Sequence, residues 1–132
     1  MSSMAKPIVL RKAECQDQVF PWGRLTWFAN RALGNSQDMT VGRCIIHPGQ
    51  ANPKHSHPNC TEVLVVLEGT IAHTLEGDED CTLSAGDVIT VPPNVAHRAR
   101  NLGTADAILL VTFSSADRQT QGESCESTSR AT

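Results

Sequence analysis

Residues 49–69 read GQANPKHSHPNCTEVLVVLEG, and three side chains in that stretch decide how the rest of the chain is interpreted. His55 and His57 stand one residue apart, and Glu62 opens an apolar run that stops at Gly69. Side chains alternate along extended backbone, so His55 and His57 project to one face without needing a turn. Imidazoles beside a carboxylate favour a first-row transition ion over magnesium or calcium. The stretch is read as most of a metal site, with one ligand still to come from elsewhere in the chain.

Only His47, His73 and His97 remain as histidines. His97 ends the stretch GDVITVPPNVAH, in which residues 87–91 read as a short strand, 92–94 as a turn and residues from 95 onward as a return strand. The expected hairpin would carry His97 back towards the other two imidazoles.

Together these stretches resemble the two motifs of the cupin family. The first motif runs G, five residues, HxH, a few residues, E, six residues, G, and Gly49, His55, His57, Glu62 and Gly69 fall on it. The second runs G, five residues, PxG, two residues, H, three residues, N, and is matched by Gly86, Pro92, His97 and Asn101. Asn94 stands where glycine is usual, and asparagine tolerates the left-handed backbone such a turn requires. Two spaced motifs in order are far more specific than a lone HxH. The resemblance covers the central half of the chain. It implies an all-β fold, a small cupin jelly-roll barrel (double-stranded β-helix), holding one divalent transition-metal ion on His55, His57, Glu62 and His97. Fe, Mn, Ni, Zn, Co and Cu all suit that donor set.

Composition bounds the rest. A chain of 132 residues has room for one domain with a useful core. A net charge of −3 and a pI near 5.9 provide no basic field for phosphates, so nucleic acid is not an expected partner. No apolar run reaches the length of a membrane span, and the run at Ile8, Val9 and Leu10 is too short for the core of a signal peptide. The five cysteines, Cys15, Cys44, Cys60, Cys81 and Cys125, are odd in number and form no CxxC pair. A reducing, cytoplasmic setting is therefore expected.

The pass along the chain divides it in three. Residues 1–38 are read as N-terminal strands and a loop completing the barrel or a dimer, with an edge strand over 7–11, a short strand after Gly23 and a Gly-Asn-Ser loop over 30–38. Residues 39–113 form the barrel core. Residues 114–132 are polar, rich in Ser, Thr and Glu, and expected to be a disordered tail. The runs over 63–67 and 107–111 are apolar on both strand faces, which calls for cover on both sides and predicts a homodimer.

Around the metal site, parity places Leu64, Val66, Val95 and Ala99 inward, all apolar. His73 shares a face with Ile71 and Leu75 and could stand behind a ligand, whereas His47 is read as a surface or core residue. Cys60 is read as a buried inert thiol, or as a reactive one if its strand begins early enough. Arg98 and Arg100 point away from the His97 face, and Trp22 and Trp27 are read as anchors.

The resemblance implies a metal-dependent enzyme acting on a small organic molecule, of dioxygenase, lyase or isomerase type, with the catalytic residues unassigned. The alternative is a non-catalytic module that binds or senses a small ligand. Fold and ligands do not choose between them.

Overall fold

The computed structural model describes residues 6–77 and 79–122. The expectations for residues 1–5 and 123–132, Cys125 included, lie outside them. Among the described residues the elements in chain order are a single 3-10 turn, Lys12–Glu14, and eleven strands: β1 Gln16–Phe20, β2 Gly23–Ala29, β3 Thr40–Ile46, β4 His55–Ser56, β5 Glu62–Glu68, β6 Thr70–Thr74, β7 Asp80–Ser84, β8 Val88–Val91, β9 Arg98–Asn101, β10 Ala107–Phe113 and β11 Gln121–Gly122. Every strand pairing is antiparallel.

Six strands form one sheet in the order β1-β2-β3-β10-β5-β8. Facing it is the sheet β7-β6-β9, and the pair β11-β4 is tied alongside β9 by the bridges His55 to His97 and Ala51 to Arg100. This all-β jelly roll places the core between its sheets, where inward positions alternate with outward ones as period two demands. In β10, Ala107, Leu109, Val111 and Phe113 are buried while Ile108, Leu110 and Thr112 are only half-buried. Glu62, Leu64 and Val66 do the same in β5. Ile71 and His73 from β6 and Ala99 from β9 close the core from the other side.

Two sequence readings are corrected. Residues 7–11 are not a strand; the chain there is irregular and leads into the 3-10 turn. Nor do the strands on either side of the Pro92, Pro93, Asn94 turn form a hairpin. β8 pairs with β5 in the large sheet and β9 with β6 in the small one, so the turn carries the chain from one sheet to the other. Periodicity identified both strands but says nothing about which partner each takes. Asn94 adopts φ 67°, the left-handed conformation expected of it.

Asn101, the last motif residue, is structural. Its buried side-chain amide donates to the carbonyls of Ile46 and Ala105 at 2.8 Å each, and its Oδ1 accepts from the Gly103 amide. It thereby locks the end of β9 to β3 and to the turn before β10.

Candidate metal centre

His55, His57, Glu62 and His97 come together between the sheets, with one potential ligand atom from each lying within 4.8 Å of all the others. Extended backbone and the bridge to β9 set the geometry: His55 N–H donates to the His97 carbonyl at 3.0 Å and His97 N–H to the His55 carbonyl at 2.7 Å. Glu62 enters from the first position of β5, on the opposite sheet. Three of the four are buried, and His55 is half-buried.

Each imidazole is held by its Nδ1. That of His55 donates to the Pro53 carbonyl at 2.7 Å, and that of His57 to the Gln119 carbonyl at 2.9 Å. That of His97 lies 3.1 Å from Nε2 of His73. A carbonyl only accepts, so His55 and His57 must carry a proton on Nδ1, leaving Nε2 as the lone pair in any neutral ring.

The inner atoms are then left without partners of their own. His57 Nε2, His97 Nε2 and Glu62 Oε1 are buried with no regular hydrogen bond, yet both nitrogens lie 3.2 Å from that oxygen. Lone pairs facing one another at this distance repel unless a proton or a cation sits among them. Burial disfavours a second proton on His97 and His55. It pushes His97 down to about 3 against the opposing pull of Glu62, and it also lowers His55 despite the Pro53 carbonyl and Glu62. Three imidazoles and one carboxylate converging, with orphaned lone pairs on His57, His97 and Glu62, fit a transition-metal ion, and the backing of each Nδ1 by a second group is the usual arrangement around such ligands.

The centre opens into a cavity of about 110 Å³. Of the four positions assigned inward by parity, Leu64 and Ala99 line it; Val66 is buried in the core away from the lining, and Val95 is half-buried elsewhere. His73 lines it as well and is fully buried, and Cys60 does not line it. Burial raises the Cys60 thiol above its ordinary value, as befits an inert cysteine in the loop before β5. His47 is exposed and lies 2.9 Å from Asp106. Arg100 is exposed and Arg98 half-buried, neither lining the cavity.

Composition placed residues 114–132 in a tail, and for 114–122 that reading is corrected. This stretch is a strap laid across the site and fastened along its length. Ser114 N–H donates to the Thr61 carbonyl, the Thr40 hydroxyl to the Ser115 carbonyl, and Arg31 N–H to the Ala116 carbonyl. Arg31 pairs with Asp117 at 2.7 Å, Asn59 bonds both Asp117 and Gln119, and β11 pairs with β4. The strap supplies the carbonyl that holds His57. It also delivers Arg118 and Thr120 to the cavity wall, two lining residues that the sequence reading missed.

Arg118 stacks on aromatic faces, its Cζ 4.4 Å from the Trp27 ring centroid and 5.2 Å from that of Phe113. Such contacts contribute about 1–2 kcal/mol each when partly desolvated. Trp27 is itself set against Gly42, where an added Cβ would stand 2.4 Å from the indole, so only glycine leaves room for the ring. Burial lowers the guanidinium from its ordinary value, with Glu62 and Cys60 opposing.

The fold and the site together define a small jelly-roll protein with a buried three-histidine, one-carboxylate cluster. The cupin domain family model matches residues 42–113, and the chain belongs to the cupin family. It is 34% identical over 85 residues to germin-like protein 5-1 of Oryza sativa subsp. japonica, covering 61% of this chain and 38% of that one. An auxin-binding protein of Prunus persica matches at 34% over 61% of this chain and 41% of its own, and oxalate oxidase 1 of Hordeum vulgare at 28% over 61% and 44%. The chain thus spans about two fifths of the length of these relatives. Among solved structures, a mutant oxalate decarboxylase from Bacillus subtilis superposes with a TM-score of 0.77 at 22% identity over 86% of this chain and 31% of that one. An oxalate oxidase bound to glycolate gives 0.68 at 24% over 76% and 54%. At these identities the superpositions speak for the fold alone.

Proposed function

We propose that the protein is a metal-dependent cupin enzyme acting on a small organic molecule, with one divalent transition-metal ion held by His55, His57, Glu62 and His97. The observation that carries this reading is the convergence of His57 Nε2 and His97 Nε2 on Glu62 Oε1 at 3.2 Å, all three buried and otherwise unpartnered. An ion of this kind supplies Lewis acidity or redox chemistry when bound. The chain's own residues do the rest. Pro53, Gln119 and His73 orient the imidazoles, Trp22, Leu25 and Leu109 keep the cavity apolar, and the strap restricts the entry of water. Activity on a small acid in named relatives, oxalate oxidase among them, supports an enzyme of this class without naming its substrate here.

A second reading, a non-catalytic module that binds a small ligand, is favoured by the lining: among the described residues Glu62 is the only carboxylate in it, and Glu62 belongs to the cluster. The relative named an auxin-binding protein supports it too. We further assign the protein to a reducing, cytoplasmic compartment, supported by four unpaired cysteines, Cys15, Cys44, Cys60 and Cys81. Among the described residues no helix is long and apolar enough to cross a membrane.

Elemental analysis of purified protein tests the ion, with close to one per chain expected and a large loss in a His55→Ala, His97→Ala double variant. Full retention in that variant overturns the ligand set. Enzyme and module separate in a ligand screen of the iron, manganese, nickel and zinc forms followed by product analysis. Ligands that raise the melting temperature but come back unchanged in every form leave the module standing.

A further inference from the structure

Arg118 is out of keeping with the cavity it lines. It comes from the strap rather than from the barrel strands, and among the described residues its hydrogen-bond partner is the Thr120 hydroxyl alone. No described carboxylate lies within ion-pair distance of it. A guanidinium has five N–H donors in a planar fork suited to a carboxylate, so most of its capacity here is uncommitted. Its position is nevertheless well determined. Trp27 and Phe113 hold it by their faces, and the strap is pinned at Asp117 and Gln119 on either side.

The rest of the wall limits what such a cation could meet. Leu25, Leu64, Ala99, Leu109 and Val111 are apolar, and Trp22 adds a buried indole Nε1–H with no partner among the described residues. Outside the four-residue cluster the uncommitted polar groups are donors: the Arg118 guanidinium, the Trp22 indole and the Nδ1–H of His73. With the acceptors of the cluster turned to one another, the remaining wall offers donors and hydrocarbon, which suits an anion with an apolar body. A fully polar anion such as phosphate or oxalate would leave the hydrocarbon side unmatched.

We propose that Arg118 is the specificity-determining residue of the cavity, receiving the carboxylate of a small monocarboxylic acid whose short hydrocarbon body lies against the apolar wall. The inference rests on the small-molecule reading of the cavity given above. The residue lies outside the stretch matched by the family model, so the preference belongs to this chain's strap rather than to its barrel.

Calorimetric titration with butyrate, butanamide, oxalate and inorganic phosphate tests it, on wild type, R118Q and R118K, each with bound zinc and after chelation. Butyrate is expected to bind wild type, and R118Q to weaken it about tenfold or more, as for loss of a charge-assisted pair. Butanamide should bind weakly and be indifferent to R118Q. R118K should fall between, because an ammonium lacks the planar fork. The proposal is overturned if wild type does not bind butyrate, if R118Q binds it equally well, or if oxalate or phosphate binds the chelated protein more tightly. Should R118Q loosen the strap, the Arg118 Nε–H resonance of zinc-loaded wild type decides instead. It should shift with butyrate and not with butanamide, and an unmoved resonance at saturation overturns the proposal. Metal content of the same samples reports separately on the ligand set. Loss of the ion there would defeat the metal reading while leaving the Arg118 comparison in chelated protein intact.

Discussion

His97 Nδ1 lies 3.1 Å from Nε2 of His73, and both rings are shut away from solvent. With His97 Nε2 turned to the centre, its Nδ1–H donates to His73, which must then keep its own proton on a buried Nδ1 without a partner among the described residues. A neutral imidazole is a weaker acceptor than the carboxylate often found behind a ligating histidine, so His97 is a less electron-rich donor than it could be. Replacing His73 with Phe keeps a ring in the space but removes the acceptor. Metal affinity should fall about 10- to 100-fold, measured by chelator competition, with the far-ultraviolet circular dichroism unchanged.

Acid should loosen the metal-free protein. Histidine in an unfolded chain titrates near pH ~6.5, whereas burial holds His97 at about 3 and also lowers His55 and His73. Between those values the unfolded chain binds more protons than the folded one. Stability therefore rises with pH across the window and is lost as pH falls from ~6.5 towards 3, by an amount on the order of a few kcal/mol. Urea midpoints of the chelated protein should drop steadily below about pH 6, and a flat profile would show that the rings are not buried neutral.

Glu62→Gln removes the charge but not the shape. In the folded, metal-free protein the amide could donate to His57 Nε2 or His97 Nε2, both 3.2 Å from the present oxygen, and relieve the facing lone pairs. The chelated variant should melt at or above chelated wild type, while its metal affinity falls by at least ~10-fold. Differential scanning fluorimetry with and without chelator reads both effects.

Removing the strap should be costly. A chain ending at Phe113 loses buried Ala116, the Arg118 stacking and the carbonyl that holds His57. Its melting temperature should fall by roughly 10 °C or more, with loss of metal. A chain ending at Gly122 keeps every strap contact named here and should melt within a few degrees of the full chain.

The outer face of the six-stranded sheet carries Val41, Ile45, Val63, Val65, Ile108 and Leu110, all half-buried, with Val88 and Leu67 54% and 47% exposed. Val65 stands across from Leu110 on one side and Val88 on the other, so these three form an apolar row, with Arg43 of β3 beyond Leu110 at its edge. We expect a homodimer through this face. Light scattering should give twice the chain mass, and Leu110→Glu should return the monomer.

Local chemistry was legible in the sequence. The one-residue spacing of His55 and His57 implies a shared face in extended backbone, and the turn at Asn94 needs only a residue that tolerates positive φ. Both depend on neighbours a few positions away. The pairing of β8 and β9 with different sheets was not legible, because alternation marks a strand without naming its partner. Nor was the placement of Val95 away from the cavity, because it lies in the irregular stretch before β9, where parity has no meaning.

The central strands and the identity of four candidate ligands were thus readable from short segments, since period-two alternation and motif spacing are local properties, whereas the strand expected over 7–11 did not form and β1 and β11 were not foreseen. The strap was decided only in three dimensions. Residues 114–122 offer little apolar surface and no periodicity, and what holds them are long-range partners: Thr61, Thr40, Arg31 and Asn59 for the backbone, and Trp27 and Phe113 for Arg118. A polar segment of this kind is ordered by donors and aromatic faces that the rest of the fold has already positioned, and those positions are not encoded within the segment itself.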